Sequence, residues 1–376
     1  MLVPASGPGL LDALAAALDG GPAVLPVPSE AGARARLEAA MRPDLPLEVP
    51  AAVVVPTSGS TGTPKGALLP ASALLASARS TLDRLGGPGA WLLALPTTHI
   101  AGIQVLVRSL VAGTPPVALD LSAGFSEAAF AAAASTVEGP RRYTALVPTQ
   151  LVRLLSAGGA ALEALCSFDA VLVGGAATPP ALLTQATGAG VRVVTTYGSS
   201  ETSGGCVYDG VPLAGVSVLP DADGRLTVGG PVVFAGYRLR PDLTAASLVD
   251  GRYVTNDLGS VVDGRVTVFG RADDVIVTGG EKVAPAAVEA SLAAHPAVRE
   301  VAVTGVPDPE WGARVVAVVV PADPASPPSL DSVRTHVAAT LGRRAAPSRL
   351  VVVDDLPRLA LGKIDRSALR RLTQED

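Results

Sequence analysis

The stretch Val53–Pro70, "VVVPTSGSTGTPKGALLP", decides how the rest of the chain is read. An apolar run ends at Pro56, and the next positions gather the hydroxyls of Thr57, Ser58, Ser60 and Thr61, the glycines Gly59 and Gly62, and the cation Lys65. Glycines let backbone amides come close to an anion, hydroxyls donate to its oxygens, and lysine adds a positive charge. A solvated Ser/Gly linker is the plain alternative. The strand-like run before the loop and the fixed lysine within it argue for an anion cradle.

The spacing excludes several familiar nucleotide and hydrolase signatures. Counted from Gly59, Pro64 stands where a Walker A loop has its second glycine, and Gly66 stands where it has Ser or Thr after the lysine. No complete G-x-G-x-x-G follows a strand-like run, and no G-x-S-x-G elbow is present.

At 376 residues the chain exceeds the usual size of a single core, so two or more domains are expected. Hydrophobic residues make up 48% and aromatics 3%, leaving Ala, Val and Leu to fill the interior. A net charge of −5 without a basic cluster excludes a general nucleic-acid binder. Anionic ligands must therefore be met by local charges. The first residues lack the basic start of a secretory signal, and no apolar run approaches the roughly 20 residues of a membrane span. Cys166 and Cys206 lie far apart without metal-ligand spacing, as in proteins of a reducing compartment, so a cytoplasmic protein is expected.

Short apolar runs at Val53–Val55, Trp91–Leu95, Val171–Val173 and Val191–Val194 alternate with Ala/Leu-rich helical stretches such as Ala71–Leu85 and Ala123–Ala134. That order predicts α/β layers with buried parallel strands and sites at the strands' carboxyl ends. After Leu213 the texture changes to Val-rich runs divided by Asp-Gly and Gly-Gly pairs, which predicts an antiparallel, β-rich subdomain. A third texture follows Asp273, with a helix near Pro285–Ala294, a strand pair around Val301–Val320 and a helix at Leu330–Leu341. The expected division is a large α/β domain over residues 1–272 and a small α+β domain over 273–376.

With the opening loop, four further segments resemble the adenylate-forming superfamily of acyl-CoA synthetases, adenylation domains and luciferases. They are "TYGSSET" (Thr196–Thr202), "YVTNDLG" (Tyr253–Gly259), "GRADDVIVTGGEKVAP" (Gly270–Pro285) and "PRLALGKIDRSALR" (Pro357–Arg370). Five motifs in the family's order are far more specific than any one alone. The resemblance implies that a carboxylate attacks the α-phosphorus of ATP to give an acyl-adenylate, from which CoA then displaces AMP. ATP, CoA and Mg2+ are the implied substrates and cofactor.

By the same resemblance, Lys65 with Thr57, Ser58, Gly59, Ser60, Thr61 and Gly62 holds the β- and γ-phosphates. Glu201 takes the magnesium ion, a hard cation that favours carboxylate and phosphate oxygens. Ser200 and Gly198 lie in the same motif, Ser200 where the family usually has Thr. Asp257 and Arg271 match the residues that meet the ribose hydroxyls, and Gly174, Gly175 and Ala176 resemble the adenine-side loop, with Tyr197 available to stack. A plain strand-ending turn is the alternative for the glycine pair. Lys363 is the implied catalytic lysine, brought in by a mobile C-terminal domain that turns on Asp273, with Asp274 its rival. Gly279 and Gly280 would make room for the pantetheine arm of CoA.

The phosphate loop begins at residue 57, whereas relatives in the superfamily usually carry more than a hundred residues before theirs. The chain is therefore expected to be abbreviated at its N-terminus. In this it resembles the short o-succinylbenzoate-CoA ligases of menaquinone biosynthesis in actinobacteria. "LPTTHIAGIQVLVRSLVAGTPPV" adds His99 and Arg108 as candidate acyl-site residues, because Arg suits the second carboxylate of a dicarboxylic acid. A packed histidine and a helix-surface arginine are the alternatives. Another acyl- or aryl-CoA ligase, or a non-catalytic adenylate-binding relative, are the rival functions. The expected partners are an aromatic dicarboxylic acid, ATP and CoA, with no nucleic acid and no membrane insertion, in a homodimer.

Overall fold

Four sheets account for nearly all the strand structure among the described residues of the computed structural model, which are 1–7, 9–57, 64–358 and 364–373. The first sheet begins with Leu2–Ala5, Ala23–Pro26 and Val53–Thr57 as parallel neighbours. Lys65–Leu69 then returns antiparallel, Thr57 opposite Lys65, and the two-residue strand Gly236–Tyr237 closes the edge. Val53–Thr57 is parallel to Ala23–Pro26, in keeping with the α/β alternation, whereas the antiparallel return of Lys65–Leu69 was not foreseen, because "KGALL" is too short for its pairing to show as a period.

In the second sheet five strands run parallel: Val117–Ala118, Ala90–Leu93, Arg142–Leu146, Ala170–Val173 and Val193–Ser199. Gly204–Tyr208 and Val211–Pro212 complete it antiparallel. The central strands are buried on both faces, which is why they read as continuous Val/Leu runs. Helices Gly9–Leu18, Ala71–Arg84 and Ile100–Ala112 share one hydrophobic core with strands of both sheets, through Leu14, Leu74, Ile103, Val55 and Trp91. Enclosure explains why Ile100–Ala112 is apolar nearly all round.

The third sheet, Ser217–Pro220, Arg225–Gly229, Leu248–Val249, Arg252–Val262 and Arg265–Arg271, is wholly antiparallel, as the Asp-Gly signals predict. It ends at Arg271, a 3-10 turn covers Ala272–Asp274, and the fourth sheet starts with Ile276–Thr278. That sheet pairs Val298–Asp308 with Gly312–Pro321 antiparallel and packs on helices Pro285–Leu292 and Leu330–Leu341. A large N-terminal part with three sheets is thus followed by a small C-terminal part with the fourth.

Helix Glu127–Ser135 begins later than the composition suggests, because Ser126 caps it by accepting from the Ala129 amide. No helix among the described residues is long and apolar enough to cross a membrane.

The edge strand Gly236–Tyr237 is too short to hold its place by main-chain bonds alone, and the next residue fixes it. Arg238 is buried and donates to the carbonyls of Met41, Arg42, Leu45 and Pro46 and to the Glu48 carboxylate. Arg238→Met orphans these acceptors, and we expect a loss of about 2–4 kcal/mol in chemical denaturation. Burial raises the Glu48 carboxyl, but the Glu48 and Leu239 amides and the Arg238 guanidinium outweigh it and hold it below the ordinary 4.5. A lowered folded value stabilises above the unfolded pKa, and that stability is lost as pH falls through the folded value. Thermal unfolding of Glu48→Gln should accordingly fall less steeply than wild type below about pH 4.5.

Candidate active site

The carboxyl ends of two adjacent parallel strands, Ala170–Val173 and Val193–Ser199, place two sequence motifs side by side. Gly174, Gly175 and Ala176 follow the first strand, and Gly174 lies so close to the second that a Cβ there would meet Thr196 Oγ1 at 2.1 Å. Gly198 faces Gly205 across the antiparallel neighbour, and a Cβ on Gly198 would come within 2.1 Å of the Gly204 carbonyl oxygen. Only glycine lets the two backbones approach so closely.

Immediately beyond, Ser200–Thr202 form one 3-10 turn that carries Glu201. The Thr202 hydroxyl accepts from the Ser199 amide at 2.8 Å and donates to the Gly204 carbonyl at 2.7 Å, tying the turn across its base. Glu201 is buried at 7% exposure, its carbonyl accepts from the Phe234 amide at 2.9 Å, and its Oε1 accepts from the Tyr237 hydroxyl at 2.7 Å. Among the described residues no lysine or arginine forms an ion pair with it. A buried carboxylate with one neutral donor is electrostatically incomplete, and a hard cation would complete it.

Lys65 approaches the same tyrosine from the hairpin, its Nζ 5.5 Å from the Tyr237 ring centroid. Thr57 stands opposite Lys65 in the register, whereas Ser58, Gly59, Ser60, Thr61 and Gly62 lie outside the described residues. Lys363 also lies outside them. The described residues contain no group of three His, Cys, Asp or Glu able to hold a metal, so any cation at Glu201 would take most of its oxygens from ligand phosphates or water.

The third sheet brings in a second carboxylate. Asp257 and Arg271 are direct cross-strand partners whose side chains approach to 3.6 Å, and the Tyr197 hydroxyl donates to Asp257 Oδ2 at 2.8 Å. Tyr253 completes an aromatic cluster with Phe234, ring centroids 5.4 Å apart. Burial first, then the neighbouring carboxylate charges, raise the Tyr197, Tyr237 and Tyr253 hydroxyls far above the ordinary tyrosine value. All three stay protonated donors throughout the working pH range. Three of the chain's five tyrosines thus surround two carboxylates. Sequence reading had assigned Tyr197 only to stacking and had missed Tyr237; its signal was a lone tyrosine behind a glycine in "AGYRL".

His99 stands at the start of helix Ile100–Ala112 and is exposed, not packed in the core. One face of that helix meets the site's underside, where Gln104 Nε2 donates to the Ser203 carbonyl at 2.7 Å. One turn further, Arg108 is buried, 5.1 Å from the Trp91 ring, and donates to the Tyr208 hydroxyl at 3.2 Å. It is no helix-surface arginine. Its Nε has no hydrogen-bond partner, and burial lowers its pKa, opposed by Tyr208.

Gly279 and Gly280, both at positive φ, form the two-residue turn between Ile276–Thr278 and Glu281–Val283. The turn packs on Trp311 and Arg344, the Gly279 amide donating to the Trp311 carbonyl at 2.9 Å while Arg344 pairs with Glu281. That contact accounts for Trp311, which sequence reading left without a role. Asn256 of the third sheet donates to Asp273, while Arg370 pairs with Asp274 at 3.4 Å within the C-terminal part. Each hinge candidate has its own partner.

Comparison with known proteins accords with this arrangement. The AMP-binding enzyme family model matches residues 14–252, and the model of that family's C-terminal domain matches residues 287–363. A probable 2-succinylbenzoate–CoA ligase of Mycobacterium tuberculosis (strain ATCC 25618 / H37Rv) is 50% identical over 368 residues, covering 96% of this chain and 94% of the relative. The 2-succinylbenzoate–CoA ligase of Geobacillus kaustophilus is 34% identical over 96% of this chain and 76% of the relative. Among solved structures, the o-succinylbenzoate CoA synthetase of Bacillus subtilis in complex with its acyl-adenylate intermediate superposes with a TM-score of 0.74 at 29% identity, covering 88% of this chain and 70% of that one. With both family models matched in order and half its residues shared with such a relative along nearly its whole length, the chain belongs to the AMP-binding enzyme family.

Proposed function

We propose that the protein is an acid–thiol ligase that activates o-succinylbenzoate with ATP and transfers the acyl group to CoA, a step of menaquinone biosynthesis. The observation that carries this reading is the 50% identity, over 96% of the chain, to a probable 2-succinylbenzoate–CoA ligase. In the first half-reaction a carboxylate oxygen of the acid bonds to the α-phosphorus and pyrophosphate leaves. In the second, the CoA sulfur bonds to the acyl carbon and AMP leaves with the bridging oxygen. The proton of the thiol is released to solvent.

Bringing an anionic acid to a triphosphate is the main electrostatic obstacle. We assign Lys65, with Thr57, Ser58, Gly59, Ser60, Thr61 and Gly62, to the β- and γ-phosphates. Glu201 would hold the magnesium ion, and its burial without an ion pair supports that assignment. When bound, magnesium neutralises phosphate charge and polarises the P–O bonds. Ser200 and Gly198 shape the turn that carries Glu201. Asp257 accepts from the ribose hydroxyls, held by Tyr197 and Arg271, so Tyr197 acts through its hydroxyl as well as its ring. The backbone at Gly174, Gly175 and Ala176 offers the adenine a surface without side chains.

Lys363 reaches the reacting oxygens during adenylation, from a C-terminal domain that we place after residue 272 and that turns at Asp273. Gly279 and Gly280 then line the path of the pantetheine arm. His99 and Arg108 belong to the acyl site. In support, Arg108 is a buried guanidinium with no carboxylate paired to it among the described residues, and a ligand carboxylate would complete it. The unpaired cysteines Cys166 and Cys206 accord with a cytoplasmic location.

Incubation with ATP, magnesium, CoA and o-succinylbenzoate should give o-succinylbenzoyl-CoA, identified by mass. Pyrophosphate release with benzoates or fatty acids and none with o-succinylbenzoate rejects this substrate in favour of another acid. Lys363→Ala is expected to slow adenylation about 10²- to 10³-fold while leaving thioester formation from added acyl-adenylate near wild type. Full adenylation by that variant would instead mark a lysine with no part in the chemistry. Arg108→Met is expected to raise KM for o-succinylbenzoate about 10- to 100-fold without changing KM for ATP, as steady-state kinetics with each substrate varied will show.

A further inference from the structure

We propose that Tyr237 is a positioning residue for the metal-binding carboxylate: its hydroxyl fixes Glu201 Oε1 and leaves Oε2 for the cation. The inference rests on the reading of Glu201 as the magnesium ligand. The donor–acceptor distance is 2.7 Å and the pair is buried. Segment Phe234–Tyr237 grips Glu201 twice, through the Phe234 amide on its carbonyl and the Tyr237 hydroxyl on its carboxylate. The two rings pack edge to face with centroids 4.8 Å apart, so the hydroxyl has little freedom to wander. On the other side, Tyr237 is register partner to Ala67, two residues along the strand from Lys65, whose ammonium lies over its ring. A single side chain therefore sets the spacing between the cation assigned to the phosphates and the carboxylate assigned to the metal.

The choice of tyrosine has a physical reason. An arginine or lysine in the same place would orient Glu201 but cancel its charge and compete with the metal. A neutral hydroxyl orients the carboxylate and leaves the charge intact. Groups that hold a metal-binding side chain in place typically contribute 10- to 100-fold to metal affinity.

The test uses the full-length protein with ATP and Mn2+ as the probe, free Mn2+ being followed by electron paramagnetic resonance. Tyr237→Phe keeps the ring and removes the hydroxyl; it is expected to weaken Mn2+ binding to the ATP complex about tenfold or more. Glu201→Gln weakens it as well, and the double variant binds no more weakly than Glu201→Gln alone, because the hydroxyl acts only through that carboxylate. Phe234→Leu, which loosens the same aromatic cluster but spares the hydroxyl, lowers the thermal midpoint and weakens Mn2+ binding less than Tyr237→Phe does. Wild-type affinity in Tyr237→Phe, additive losses in the double variant, or an equal loss in Phe234→Leu each overturn the proposal while leaving Glu201 as the metal residue. Wild-type affinity in Glu201→Gln instead overturns the assignment on which it rests.

Discussion

The pairing of Lys65–Leu69 with Val53–Thr57 on one side and Gly236–Tyr237 on the other is the constraint from which the site's geometry follows. The first pairing sets Thr57 and Lys65, the residues on either side of 58–64, opposite each other in the register. The second sets Tyr237 beneath Lys65 and within reach of Glu201, which comes from a different sheet. Sheet one supplies the cation, sheet two the carboxylate, and a two-residue strand joins them. Without that strand the two charges would belong to separately packed layers.

Electrostatically, the chain carries a net charge of −5, and the ligands proposed for it are anions as well. Basic residues are few at the site, and the carboxylates Glu201 and Asp257 are each held by a neutral tyrosine hydroxyl. Glu201 has no ion pair among the described residues, whereas Asp257 also faces the Arg271 guanidinium at 3.6 Å. Burial keeps those tyrosines protonated, so the donors do not titrate away in alkaline conditions. Aromatic content is low, 3%, and these tyrosines both pack on hydrophobic clusters and, at Tyr197 and Tyr237, donate to carboxylates.

Much of this was legible in the sequence because the motifs are local: glycines, a hydroxyl run and single charges at fixed spacings need no tertiary information. The Val-rich strands, the Asp-Gly hairpins and helix Leu330–Leu341 were readable from period and turn chemistry. Tyr237 was not, since a two-residue strand has no periodicity and its partners lie 36 and 170 residues away. Nor was the burial of Arg108: a charged residue on a helix reads as surface until two sheets are known to enclose that helix. The antiparallel return of Lys65–Leu69 was hidden for a related reason, because "KGALL" could equally have led into a helix. Trp311 had no local motif at all, and only its packing on the Gly279–Gly280 turn explains it.

Tyr237 ends the two-residue strand, and Arg238 opens the turn that follows it. One turns to the Glu201 carboxylate while the other grips the carbonyls that end helix Ala31–Met41 and the segment after it. Residues 41–48 and the Glu201 carboxylate are consequently two readouts of one short backbone segment. Fraying of the early segment would be felt as a drifting carboxylate, and a firmly bound ion would slow hydrogen exchange in a part of the chain that never touches it.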